Sequence, residues 1–220
     1  TLFRSPKEDL KTLIEFYKLY KKIKPDIVLN YTIKPNIYGT IAASMLNIPT
    51  INNIAGLGTL FIKQNFVTKI AKFLYKFSQK RATKIFFQNQ DDFKMFIDEK
   101  LVQKEKCDVL PGSGVDIEKF MPVEKEDDGI FRFLLIGRML WDKGIGEYVE
   151  AVKILKSKYL NVEFQLLGSL DAINNTAISK RQVDEWIDEG FINYLGVTDD
   201  VKEFIKKVDC VVLPSYREGT

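Results

Sequence analysis

Arg138 and Lys143 flank the loop GRMLWDKG, which follows the apolar run FRFLLI and leads into a helical pattern. Free backbone N–H groups at a helix start, with the positive end of the helix dipole, favour an anion at such a junction. Two cations on one loop suit a diphosphate better than a single carboxylate. The loop is neither of the common phosphate binders. No Lys-Ser or Lys-Thr follows Gly144, as a Walker loop requires, and Val149 stands where a dinucleotide turn needs its third glycine. The competing reading is a solvated surface turn in which Lys143 pairs with Asp142.

The segment PSYREGT (214–220) is a second candidate. Glu218 follows a strand-like run, and the glycine after it lets the backbone approach a ligand closely. A carboxylate there can accept hydrogen bonds from sugar hydroxyls, or it can pair with Arg217 or a helix terminus. The third candidate is NFVTKIAKFLYKFSQK. From Lys63 to Lys84 there are seven basic residues and no acidic one. At helical spacing Phe66, Ile70, Phe73, Leu74 and Phe77 share one face, and Lys69, Lys72, Lys76 and Lys80 another. Such a helix can lie on an anionic membrane, or it can simply cover a sheet. Both hold if the apolar stripe packs inward and the lysines meet headgroups, which is the expectation adopted.

Composition removes other chemistries. There is no histidine, so a His-based triad or a His-ligated zinc is excluded within these residues. Cys107 and Cys210 lack CxxC spacing and read as free thiols in a reducing compartment, which makes the cytoplasm the default. No apolar run reaches the ~18 residues of a membrane span, and no signal-peptide pattern opens the chain. A net charge of +3 says little about partners. An apolar fraction of 45% supports a real core, in one large domain or two of common size.

The elements that position these residues alternate. Residues 8–23 carry Leu10, Leu13, Ile14, Tyr17 and Tyr20 at helical spacing, a core-facing stripe, on a helix ended by Pro25. DIVLNY (26–31) reads as a buried strand. A helix over about 36–46, a strand at TINNI (50–54), a helix over about 65–82, a strand at KIFFQN (84–89), a short helix over 91–99 and CDVLP (107–111) follow. The acidic, Pro- and Gly-flanked MPVEKEDDG (121–129) reads as a linker. Beyond it FRFLLIG, VEFQLLG, FINYLG and DCVVLPS are strand-like. Helical stripes lie between the first two (Ile145, Tyr148, Val149, Val152, Leu155) and the last two (Val201, Phe204, Ile205, Val208). Alternation of this kind implies parallel sheets and two Rossmann-like α/β domains, 1–120 and 130–220. Function in open α/β sheets gathers at the carboxyl ends of strands, where all these candidate loops fall.

Taken together, the motifs resemble family 4 of the retaining GT-B glycosyltransferases. The Gly-Arg-x(4)-Lys-Gly loop with P-S-x(2)-E-G carries the likeness. LPGSGVDIEKF (110–120) is similar to that family's domain-junction segment, and YLGVTDDV (194–201) to its nucleobase-facing loop. YTIKPNIYG (31–39) and NNIAGLGTLF (52–61) resemble a branch that transfers galactose or N-acetylhexosamines onto undecaprenyl-diphosphate-linked glycans in bacteria, in surface polysaccharide assembly.

The resemblance implies two Rossmann-like domains facing a cleft, here truncated at both ends. It implies that Arg138 and Lys143 grip the donor diphosphate and that Glu218, with the backbone of Gly219 and Thr220, faces the sugar. Gly196 and Val197 would contact the base, with Gly137 and Gly168 beside the donor. Thr32, Lys34, Asn53 and Gly56 would lie on the acceptor side. The donor is expected to be a nucleotide diphosphate sugar, UDP-linked, used with retention and without metal or other cofactor. The acceptor is expected to be lipid-linked, with the enzyme peripheral on the inner face of the cytoplasmic membrane and no nucleic acid partner. No D-x-D occurs in the sequence. The departures are a missing first glycine-rich loop, a second glutamate that would fall beyond Thr220, and NNIAG where many relatives carry a histidine. The fragment alone is therefore expected to be inactive. A UDP-sugar 2-epimerase and a non-catalytic GT-B binding subunit are the competing functions.

Overall fold

The computed structural model describes residues 5–56, 61, 66–170, 174 and 176–218. Contacts divide the chain into two compact units, the first reaching Gly114 and taking in Glu218, the second running from Val115 to Arg217.

The first unit opens with helix α1 (Pro6–Ile23), which stops at the left-handed Lys24 directly before Pro25. Strand β1 (Val28–Tyr31) follows, then a π-helical turn (Pro35–Gly39) that continues into α2 (Thr40–Ser44). Strand β2 (Thr50–Ile54), helix α3 (Phe66–Gln79), strand β3 (Lys84–Phe87), helix α4 (Gln90–Asp98) and strand β4 (Cys107–Val109) complete it. The four strands are parallel in the order β1-β2-β3-β4. Parallel neighbours need crossovers, and the helices between the strands supply them. An aromatic cluster fills the core, with Tyr75 and Phe87 each edge-on to Phe96 at 5.1 and 5.2 Å.

Three expectations are corrected here. Leu10 and Ile14 of α1 are exposed, whereas Asp9 and Tyr20 are buried and Leu13 and Phe16 pack inward. The rotation follows a polar contact, because Asp9 takes Lys34 in an ion pair at 2.9 Å. Strand β1 stands at one end of the sheet order among the described residues and exposes Leu29 and Tyr31, so it is not buried on both faces there. In α3 the buried residues are Thr68, Ala71, Tyr75, Ser78 and Gln79, and Phe66, Phe73 and Phe77 face solvent. The expected apolar stripe is thus largely outside, with Leu74 partly buried against the core. Lys72, placed among the headgroup lysines, instead pairs with Glu99 at 2.7 Å.

A buried polar network fixes that orientation. Asn52 on β2 donates to Gln79 at 2.6 Å and to Thr40 at 2.9 Å, Asn30 on β1 donates to Asn52 at 2.9 Å, and Gln79 donates to the Asn36 carbonyl at 2.8 Å. Such groups are tolerated inside a protein only when paired, so the network specifies which face of α3 points in.

The second unit contains β5 (Phe131–Ile136), α5 (Ile145–Lys156), β6 (Val162–Leu167), α6 (Lys180–Asp188), β7 (Asn193–Tyr194), α7 (Lys202–Ile205) and β8 (Cys210–Val211). Its strands are parallel in the order β7-β6-β5-β8. Here the expected stripe faces inward, with Ile145, Tyr148, Val149 and Val152 all buried. Each such burial contributes about 2 kcal/mol. Helix α6 was not anticipated from the sequence. Its start carries a cap, since the Ser179 side chain accepts from the Gln182 N–H, and Val183 and Trp186 bury its inner face.

Residues 121–129 form neither helix nor strand. Their acidic end is held to the sheet: Arg132 makes two hydrogen bonds to Asp128, at 2.9 and 2.7 Å, and Lys125 pairs with Asp209 at 2.6 Å. The Arg132 guanidinium holds the Asp128 carboxyl down at about 2.

Candidate functional site

Strand β5 ends at Ile136, and the chain passes through Gly137 and Arg138 into a tightly held loop. Met139 and Leu140 are buried, so the loop is anchored from below. Leu140 bridges Ala177 in antiparallel fashion, and the Trp141 N–H donates to the Thr176 carbonyl at 2.8 Å. The Thr176 hydroxyl donates to the Asp142 carboxylate at 2.8 Å. A 3-10 turn (Trp141–Lys143) then delivers Lys143 to the start of α5. Arg138 is exposed, and the Lys143 stem lies alongside Gly137. Both cations thus sit on one short, braced loop at the carboxyl end of β5, and that loop feeds a three-turn helix N-terminus.

Two glycines make the local geometry possible. Gly144 takes a left-handed φ of 70°, and a Cβ there would stand 2.1 Å from the Pro214 carbonyl oxygen. Gly168, at the end of β6, has φ 146°, and its Cβ would stand 1.8 Å from the Gly137 carbonyl oxygen. No L side chain fits either place. The ends of three strands are laced together as a result. Gly137 N–H donates to the Leu167 carbonyl at 2.9 Å, and Gly168 N–H donates to the Gly196 carbonyl at 2.8 Å. Tyr194 donates its hydroxyl to the Gly168 carbonyl at 2.7 Å. Gly137, Gly168 and Gly196 therefore come together, with Val197 exposed beside them.

The segment after β8 closes onto this loop. The Tyr216 N–H donates to the Asp142 carbonyl at 3.1 Å, and the Ser215 hydroxyl donates to the same carbonyl at 3.3 Å. The Tyr216 hydroxyl donates to Glu147 in the first turn of α5. That bond holds the Glu147 carboxyl below its usual range and pushes the Tyr216 phenol up. PSYR is thereby brought against the loop of Arg138 and Lys143. Glu218 is half-buried, and Gly219 and Thr220 lie outside the described residues.

In the first unit the sequence-predicted residues gather at the carboxyl ends of β1 and β2. Thr32 follows β1 in a left-handed conformation, φ 65°, which is uncommon for a β-branched residue and costs of order 1–3 kcal/mol. Lys34 is held by Asp9. Asn53 pairs in register with Tyr31, and its carbonyl accepts from the Asn36 side chain at 2.9 Å. The Asn53 side-chain oxygen is buried without a partner among the described residues. Gly56 follows β2 with φ 138°. Residues 57–60 of NNIAGLGTLF are outside the described residues.

Sequence reasoning missed the braces. Thr176, Ser215 and Tyr216 position the loop, and Asn36, Asn52 and Gln79 position the turn after β1. The Ser-x-x-Gln cap at Ser179 was a readable sign of α6, but nothing in a single sequence pairs Thr176 with Asp142. Among the described residues no cluster of His, Cys, Asp and Glu is arranged to hold a metal ion.

Two parallel Rossmann-like sheets in one chain are consistent with the GT-B fold. Solved structures agree, for instance the Anabaena protein HepE in complex with UDP-glucose. It is 16% identical, with a TM-score of 0.72 over 94% of this chain and 57% of that one. Residues 3–89 match the family described as glycosyl transferase 4-like, and residues 130–220 match glycosyl transferases group 1. The chain thus carries a glycosyl transferase 4-like match and a glycosyl transferases group 1 match, both models of glycosyltransferases.

A Campylobacter jejuni relative is 31% identical over 96% of this chain and 58% of its own length. It is the N,N'-diacetylbacillosaminyl-diphospho-undecaprenol alpha-1,3-N-acetylgalactosaminyltransferase. An Escherichia coli relative, UDP-Gal:alpha-D-GlcNAc-diphosphoundecaprenol alpha-1,3-galactosyltransferase, is 30% identical over 96% of this chain and 57% of its own. The chain thus spans less than two thirds of the length of these curated relatives. The comparisons give no support to an epimerase or a non-catalytic subunit.

Proposed function

We propose that the protein transfers a hexose or N-acetylhexosamine from a UDP-linked sugar to a glycan carried on a polyprenyl diphosphate. The reading rests chiefly on one observation: Arg138 and Lys143 share a braced loop that opens into the N-terminus of α5. It is supported by relatives whose names specify UDP-galactose and diphospho-undecaprenol substrates.

In such a transfer the bond between the sugar's anomeric carbon and the diphosphate breaks, and negative charge grows on the departing phosphate. Arg138, Lys143 and the helix terminus meet that charge as it develops. Stabilisation of this kind is usually the largest protein contribution to such a step. Each charge-assisted hydrogen bond is worth about 1.5–3 kcal/mol. On this reading the two cations do what a metal does in other transferases, no cofactor is required, and the departing phosphate takes the acceptor's proton with retention of configuration.

Glu218, with the backbone of Gly219 and Thr220, faces the donor sugar. Gly196 and Val197 meet the base through main-chain groups, and Gly137 and Gly168 clear space beside the diphosphate. Thr32, Lys34, Asn53 and Gly56 serve the acceptor. Residues 1–120 and 130–220 act as acceptor and donor domains joined by 121–129. Because the acceptor is lipid-borne, the protein works at the inner face of the cytoplasmic membrane, with the basic helix α3 as its contact. Among the described residues no helix is long and apolar enough to cross a membrane.

The test incubates the complete gene product with UDP- and GDP-sugars and short polyprenyl-diphosphate acceptors, with products read by mass spectrometry. A hexose or N-acetylhexosamine mass added to the acceptor is expected, and Arg138→Ala or Lys143→Ala should lower its rate by about tenfold or more. A UDP-sugar converted to its epimer, or transfer untouched by both substitutions, overturns the reading.

A further inference from the structure

Helix α3 exposes the residues that water disfavours most. Phe66, Phe73 and Phe77 are 76%, 67% and 42% exposed, and their spacing puts them on one helical face. The opposite face is anchored through Thr68, Ala71, Tyr75, Ser78 and Gln79. Rolling the helix to bury the phenylalanines would break the Gln79 bonds to Asn52 and Asn36 inside the core. The aromatic ridge is therefore held outward by the fold.

Charge names the partner. Lys69, Lys76 and Lys80 are exposed along one flank of the ridge, and Arg81 lies over the Phe77 ring at 3.9 Å. No acidic residue occurs from Lys63 to Lys84. Another exposed apolar helix face of this unit, Leu10 and Ile14 on α1, lies on a helix of mixed charge, where Lys7, Lys11 and Lys18 stand with Glu8 and Glu15 and Lys11 pairs with Glu15. Apart from Glu99, which Lys72 pairs, the ridge is flanked by cations, and this fits an anionic lipid surface, where aromatic side chains enter the headgroup region and lysines meet phosphate.

We propose that α3 docks on anionic lipid by inserting Phe66, Phe73 and Phe77, with Lys69, Lys76 and Lys80 against the headgroups. This rests on the reading that the acceptor is lipid-borne, and it deepens that reading in one respect. The hold comes from inserted aromatic rings as well as from charge, so part of it survives high salt.

The test is co-sedimentation of the chain with phosphatidylcholine vesicles, with and without phosphatidylglycerol, at low and high salt. Binding is expected on the phosphatidylglycerol vesicles, with a salt-resistant remainder. Phe73→Ser with Phe77→Ser should weaken it about tenfold or more and remove that remainder. Each of Lys69→Ser, Lys76→Ser and Lys80→Ser should cost about fivefold at low salt. Leu10→Ser with Ile14→Ser on α1 should leave binding unchanged.

Equal binding by the phenylalanine pair variant, or no binding by the parent, overturns the proposal. So does a parent dimer that this variant dissolves without any vesicle binding, since the face would then belong to a second copy. Transfer by the complete gene product to a short, water-soluble polyprenyl-diphosphate acceptor without vesicles separates the two claims. Transfer intact in the phenylalanine variant leaves the enzymatic reading standing whatever the vesicles show. Vesicle binding without any transfer by the parent leaves the docking standing alone.

Discussion

Helices α3 and α5 carry apolar stripes of similar regularity and use them in opposite ways. In α5 the stripe of Ile145, Tyr148, Val149 and Val152 is buried against its sheet. In α3 the phenylalanines face out, and a face of Thr68, Ala71, Ser78 and Gln79 around Tyr75 faces in. What lies beneath each helix accounts for the difference. Under α5 are apolar strand residues such as Leu135, Phe164 and Leu166. Under α3 are Asn30, Asn52 and Thr40, which need polar partners, and Gln79 provides one. An unpaired buried amide costs about 1–3 kcal/mol, enough to decide which face of a helix turns inward.

Mutations can break this contrast in order of effect. Ile145→Ala opens a cavity under α5 and should cost about 3 kcal/mol. Urea unfolding followed by tryptophan fluorescence reports it, because Trp141 and Trp186 both lie in the second unit. Gln79→Ala strands Asn52 and the Asn36 carbonyl and should cost about 2 kcal/mol, read by amide exchange across α3. Phe73→Ser should change stability by less than about 0.5 kcal/mol in the same exchange experiment, as expected for an exposed site away from packing. A loss from Phe73→Ser as large as that from Ile145→Ala would mean that the phenylalanine face is buried after all.

The same contrast shows what the sequence reveals and what it hides. Alternating apolar runs and helical stripes disclosed both parallel sheets, and TINNI coincides with β2 residue for residue. The loops after the strands stood out because carboxyl ends of parallel strands are where side chains reach ligands. Periodicity reveals that a stripe exists but not what it faces, so α1 and α3 were rotated in the expectation. The Asp9–Lys34 pair and the Asn52–Gln79 bond that set those rotations join residues 25 and 27 apart. Helix α6 was lost because its apolar face rests on Val183 and Trp186 alone. At the candidate site Arg138 and Lys143 were legible as charges bracketing a loop. The braces were not, because Thr176, Ser215 and Tyr216 reach that loop from distant segments.

The central claim is that the loop of Arg138 and Lys143 holds a nucleotide diphosphate. Calorimetric titration of UDP and of uridine into the second unit's parent chain, Arg138→Ala and Lys143→Ala tests it most directly. UDP should bind the parent more tightly than uridine, and either substitution should weaken UDP about tenfold or more while leaving uridine unchanged. Equal affinity for UDP in parent and variants would place the diphosphate elsewhere.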